Sequence, residues 1–167
     1  MYYFDILEEF FKNGIKYLIV GGLAVNLYGI PRVTQDMDII ISMDKDNILK
    51  INDILKKLNY VPRLPVDPNQ LADKKTLKNW IIDKNLRAFS FYNKSENYKT
   101  IDILIDHPLN FEDSFQHKTI RKIKSIEIYL APLDDLITMK RNTNRKQDIS
   151  DIKLLKRLKK WMEKDEA

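Results

Sequence analysis

The sequence predicts a mixed α/β (α+β) fold: a small mixed sheet flanked by helices, with further helices at the C-terminus. Three observations predict it. Apolar residues recur at helical spacing over 46–58 and 147–164. Short isoleucine-rich runs over 36–42 and 99–105 read as strands. Helical and strand segments alternate early, strands dominate the middle, and helices close the chain. The 167 residues suit one domain, with a core over about 1–130 and a helical part over about 131–167.

The elements follow in order. Residues 5–12 predict a helix with Ile6, Leu7, Phe10 and Phe11 on one side. Residues 16–20 are a short apolar strand, broken by Gly21-Gly22, and 23–28 are helical up to Gly29 and Pro31. Residues 36–42 predict a strand and 46–58 an amphipathic helix. Pro62, Pro65 and Pro68 mark an irregular connection, and 70–78 a short helix. Two strands, 87–92 and 99–105, flank a polar turn at 93–97. One or two strands lie around Lys124-Ser125 within 118–130. Pro132 opens a helix running to about Arg141. Asn142 to Asn144 interrupt it, and a last helix over 147–164 turns Ile152, Leu155, Leu158 and Met162 inward.

Composition narrows the chemistry. There is no cysteine and only two histidines, so thiolate and His-rich metal sites are excluded and any metal is held mainly by oxygen. No run of 18 apolar residues occurs and no secretory signal opens the chain, which predicts a cytoplasmic protein without a membrane span. Net charge is +5, but residues 138–160 hold nine Lys/Arg against two Asp. A basic C-terminal third suits a polyanion; a solvated helix face accounts for it equally.

Asp36 and Asp38 carry the chemistry. Residues two apart on a strand share a face, so both carboxylates project together, about 6–7 Å apart by the rise per residue. They belong in water or around a divalent cation. Asp102 is a lone acid in a β-branched run. If its strand neighbours the first, three acids meet as in a two-metal site for phosphoryl or nucleotidyl transfer. Before them, Gly21-Gly22 ends a strand and opens a helix, a turn that lets a phosphate approach the backbone.

Gly21-Gly22-Leu23-Ala24 followed by Arg32-x-Thr34-x-Asp36-x-Asp38 resembles the signature of the DNA polymerase β superfamily of nucleotidyltransferases, most closely the abortive-infection (AbiEii-like) toxin branch. Asp102 fits the third acid. Lys140 with Arg145, Asp148 and Asp151 resembles that branch's helical motif. The resemblance implies a magnesium-dependent enzyme, with two ions or manganese in their place, moving a nucleoside monophosphate from an NTP to an acceptor hydroxyl. Asp36, Asp38 and Asp102 would be catalytic and hold metal; Gly21, Gly22, Arg32 and Lys140 would bind nucleotide. The acceptor would be an RNA or tRNA 3′ end, a protein or a small molecule, and the protein a toxin with an antitoxin partner. The second glycine stands where many members have serine. The alternative is a non-catalytic module binding nucleic acid or a partner.

Several residues have a plainer reading. Arg32 contacts phosphate or pairs with an aspartate; Thr34 orients Asp36 or merely forms strand. Lys140 binds phosphate or is solvated. Asp148 and Asp151 hold Lys140 or Arg145, or complement the helix dipole. Asp106 reads as a turn residue before Pro108, His107 as a loop residue, and His117 as a residue before a basic strand with no carboxylate partner in sequence; neither histidine reads as a base. Lys153, Lys156, Arg157, Lys159 and Lys160 bind RNA or form a solvated face.

Overall fold

The computed structural model describes residues 1–143 and 145–166. Helix α1 (Phe4–Lys12) buries Ile6, Leu7 and Phe10, whereas Phe11 is 36% exposed and leaves the predicted inner side. Strand β1 (Tyr17–Val20) is buried throughout. Helix α2 (Gly21–Leu27) starts on the glycine pair itself, which the sequence placed as a break before the helix. Strand β2 (Met37–Ile41) and helix α3 (Lys45–Lys57) follow as predicted, with Ile48, Ile51, Ile54 and Leu55 inside.

The proline-punctuated stretch hides a strand, β3 (Tyr60–Pro62), which ends on its first proline at the rim of the sheet. Proline is tolerated there because an edge strand has one side without ladder hydrogen bonds. A 3₁₀ turn (Pro68–Ala72) and helix α4 (Lys74–Ile82) replace the single helix predicted over 70–78; the Asp73 side chain accepts from the Lys75 N–H and restarts the chain as α4.

Strands β4 (Ala88–Asn93) and β5 (Thr100–Leu104) form the predicted hairpin. Helix α5 (Phe111–Gln116) lies in a stretch to which the sequence reading assigned no element. Its signal was an Asn110 cap, which accepts from the Asp113 N–H at 3.1 Å, and two acids in the first turn. Strands β6 (Thr119–Ile123) and β7 (Ile126–Leu130) pair around Lys124, whose φ is +55°.

Pro132 caps α6 (Leu133–Arg141), and α7 (Lys146–Glu166) ends the described chain. Of the predicted break at 142–144, Asn144 lies outside the described residues. Leu155 is fully buried, but Met162 is 37% exposed, so α7 leaves the core one turn earlier than predicted.

The seven strands make one mixed sheet in the order β3-β4-β5-β2-β1-β7-β6. Strands β1 and β2 are antiparallel, with Val20 opposite Asp38. Strands β2 and β5 are parallel, with Asp38 opposite Asp102. The central strands are isoleucine-rich because both their faces are covered. Among the described residues no helix is long and apolar enough to cross a membrane.

Candidate active site

The tertiary structure brings the three predicted acids together. Asp38 and Asp102 are register partners, and Asp36 lies just before β2. Ile40 is on the face of Asp38, two residues along, and is fully buried. Asp38 therefore stands where the covered part of that face gives way to a cleft. Crowding has an electrostatic consequence. Burial, then the negative charges of Asp102 and Asp36, push the Asp38 carboxyl up to about 7, against the opposing pull of Lys140. Asp36 is raised by burial and by Asp102, and lowered by Arg63.

Two contacts hold the acids in place. Ser90 on β4 is opposite Asp102 and donates to its Oδ1 at 2.6 Å. The buried Tyr3 hydroxyl donates to the Gln35 carbonyl and accepts from the Thr100 N–H at 3.2 Å. It thus pins the chain just before each acid. Ser90 was not singled out from sequence. The alternation of β4, with Phe89 and Phe91 buried and Ser90 between them, was the legible signal.

The glycine turn touches the acids directly. Val20 pairs with Asp38, so Gly21 follows at the carboxylate. Its φ is +66°, and a Cβ there would collide with Asp38 Oδ2. This position requires glycine for both backbone conformation and space. A Cβ on Gly22 would come within 3.1 Å of Thr34 Oγ1 and 3.2 Å of Arg32 Cζ.

The predicted cations behave differently from the simple readings. Arg32 pairs with Asp151, not with Asp36 or Asp38. Lys140 is buried, not solvated; its Nζ lies 3.0 Å from Asp151 Oδ2 and 3.3 Å from Asp148 Oδ1. Arg145 Nε donates to Asp148 at 2.8 Å and Gln147 to Asp151 at 3.0 Å; Thr143 also donates to Asp148. Burial raises the Asp148 pKa, but the Thr143 and Arg145 hydrogen bonds and the Lys140 charge outweigh it and hold the carboxyl below its usual range. Asp148 and Asp151 therefore clamp α7 to α6 and to the segment after α2. The Thr34 hydroxyl reaches only the Asp36 carbonyl, at 3.4 Å, and Thr34 lies outside β2.

A cleft of about 830 Å³ opens beside Asp38 and Gly21. It continues along Leu104, His107 and Pro108 after β5, and along Leu136, Met139 and Lys140 of α6. His107 lines this cleft, and Asp106 pairs with Arg87. Among the described residues no group of three or more Asp, Glu or His side chains is placed to hold a metal ion. The donors present still suit magnesium, which takes one or two carboxylates and completes its shell with phosphate and water oxygens. Burial of the Asp38 carboxyl beside Asp102 and Asp36, only partly offset by Lys140, is the observation that fits a cation.

Residues 4–160 match the family model described as "Nucleotidyltransferase of unknown function (DUF6036)". No curated protein matches the sequence significantly. Two solved folds are similar. One is the lincomycin-bound crystal structure of the lincosamide antibiotic adenylyltransferase LnuA, at TM-score 0.58 and 17% identity, covering 93% of this chain and 94% of that one. The other is ANT(2")-Ia in complex with adenylyl-2"-tobramycin, at TM-score 0.54 and 11% identity, covering 98% and 96%.

Proposed function

The chain belongs to the DUF6036 nucleotidyltransferase family, and from that premise we propose that it is a magnesium-dependent enzyme transferring a nucleoside monophosphate from an NTP to an acceptor hydroxyl. The observation that supports this reading best is the juxtaposition of Asp38 and Asp102 across β2 and β5, beside the Gly21 turn. The reading takes residues 1–167 as one cytoplasmic domain, with a core over about 1–130.

In this reading Asp36 and Asp38 hold Mg²⁺, Asp102 completes a second site, and manganese can substitute. The metal, when bound, neutralises phosphate charge and favours departure of pyrophosphate. Gly21 and Gly22 let the triphosphate approach the backbone, and Lys140 faces it from α6. Arg32 is a nucleotide ligand only if it exchanges Asp151 for phosphate. Asp102, oriented by Ser90, accepts the proton of the acceptor hydroxyl. The hydroxyl oxygen bonds to the α-phosphorus as the bond to the β-phosphate oxygen breaks, and pyrophosphate leaves.

The acceptor is an RNA or tRNA 3′ end, a protein or a small molecule. Exposed Lys153, Lys156, Arg157 and Lys160 on α7 favour RNA. The antibiotic adenylyltransferase folds favour a small molecule. A toxin role with an antitoxin partner, in the AbiEii-like branch, rests on the Gly-Gly, Asp-x-Asp and Lys140 motifs.

The test incubates each NTP, labelled at the α-phosphate, with Mg²⁺ and either cellular RNA, soluble protein or small-molecule extract. Label transferred by wild type and not by Asp38→Asn is the expected result. Absence of transfer to all three, with normal partner binding by a folded Asp38→Asn, would favour the non-catalytic module instead.

A further inference from the structure

The cleft is longer than the acids and the glycine turn require, and its far part has a different character. Nearest Asp38 it is lined by Gly21 and Lys140, groups suited to phosphate. Farther along it is lined by Leu104 at the end of β5 and Pro108 beyond it, by Leu136 and Met139 of α6, and by the charged pair Arg87 and Asp106. The helix explains the change. Residues three and four apart share a face, so α6 presents Lys140 at one level and Leu136 one turn back. A volume of about 830 Å³ is within the usual range for a small-molecule site, about 300–1,000 Å³.

His107 lies beside these apolar groups, and the Arg87–Asp106 ion pair lines the cleft next to it. The Leu109 N–H donates to His107 Nδ1 at 3.2 Å. An Nδ1 that accepts is unprotonated, so the ring proton is on Nε2. Burial holds the His107 pKa below the usual histidine value, so the ring is a neutral donor near neutral pH. Among the described residues no side chain or backbone oxygen takes that Nε2–H. A neutral donor beside Leu104, Pro108, Leu136 and Met139 does not compete for phosphate with the cations. It selects a ligand that offers a hydrogen-bond acceptor in a flat, mostly apolar body, because a ligand without one leaves a desolvated donor unpaired.

We propose that the nucleobase of the NTP occupies this far part of the cleft, between Leu104 and Pro108 on the β5 side and Leu136 and Met139 on α6, and that His107 determines base specificity by donating from Nε2 to a ring nitrogen or carbonyl oxygen. This assignment rests on the nucleotidyl-transfer reading above, and gives a role to His107, which lies in the loop the sequence predicts. It leaves the acids, the glycine turn and Lys140 to the triphosphate.

The experiment separates base from phosphate. Calorimetry on the full chain measures binding of each of the four NTPs and of inorganic tripolyphosphate, all with Mg²⁺, to wild type, His107→Leu and His107→Gln. Circular dichroism confirms that each variant is folded. The expected result has three parts. Wild type prefers one NTP. His107→Leu loses about tenfold in affinity for it, the worth of one hydrogen bond, and flattens the preference. Tripolyphosphate affinity is unchanged, and His107→Gln, which restores an N–H, recovers part of the loss. Wild-type NTP affinity in folded His107→Leu would overturn the proposal, as would an equal loss for tripolyphosphate. Wild type binding tripolyphosphate as tightly as every NTP would overturn it while leaving the phosphate site standing. Wild type binding neither would overturn the transfer reading as well.

Discussion

Asp38 and Asp102 face each other across the parallel pair β2 and β5, and the Gly21 turn approaches the same carboxylate from β1. Three strands thus converge on one negatively charged point. The cost of that arrangement, and what relieves it, can be measured.

The first prediction concerns pH. Asp38 is pushed up to about 7, above the ordinary value of about 3.9 in an unfolded chain. Between these values the folded protein binds more protons than the unfolded one, so stability falls as pH rises through this window. In EDTA, the wild-type melting temperature is expected to be lower at pH 8 than at pH 5. Asp38→Asn is expected to melt higher than wild type at pH 8, by about 2–4 °C for each kcal/mol of repulsion removed. Added Mg²⁺ stabilises wild type more than the variant. A flat wild-type profile would count against the crowding.

Glycine 21 is distinguished from Gly14 by its surroundings. Both have positive φ, +66° and +62°, but only Gly21 has a carboxylate where a Cβ would go. Gly14→Ala is expected to lose only the backbone term, about 1–2 kcal/mol. Gly21→Ala loses more, together with NTP binding. Urea unfolding and calorimetry on both variants check this.

The Lys140 cluster makes α7 part of the site's support. Lys140→Met leaves Asp148 and Asp151 buried without their shared cation, and a broken buried pair costs about 3–5 kcal/mol. The double variant Lys140→Met/Asp151→Asn is expected to lose less than the two single losses combined. Asp148 has the opposite pH sign to Asp38. Its lowered pKa stabilises the fold above about pH 4, and that stability is lost as pH falls through the folded-state value.

Tyr3 links the N-terminal helix to the acids. Tyr3→Phe leaves the Thr100 N–H without its hydroxyl partner, at an expected cost of about 1–3 kcal/mol. Transfer activity is expected to fall further than Tyr28→Phe lowers it. Tyr28 is also buried and hydroxyl-bonded, to Thr119 at 2.8 Å and the Ala131 carbonyl at 2.7 Å, but these partners carry neither acid. Equal effects would reduce Tyr3 to a packing residue.

The sequence alone determined most elements and the identity of the three acids. These rest on short-range patterns: alternation on β2 and β4, helical periodicity on α3, the Pro132 start of α6, and two carboxylates two residues apart. It also carried signals that the reading passed over, such as the Asn110 cap of α5. Tertiary structure decided which strands are neighbours, because pairing β2 with β5 across more than sixty residues leaves no local trace. It decided that Arg32 meets Asp151 and that Lys140 is buried between two aspartates, since side chains on separate elements meet only after the core closes. It also decided the character of His107, whose proton position follows from a hydrogen bond to Leu109 and whose neutrality follows from burial, neither of which is a property of residue type.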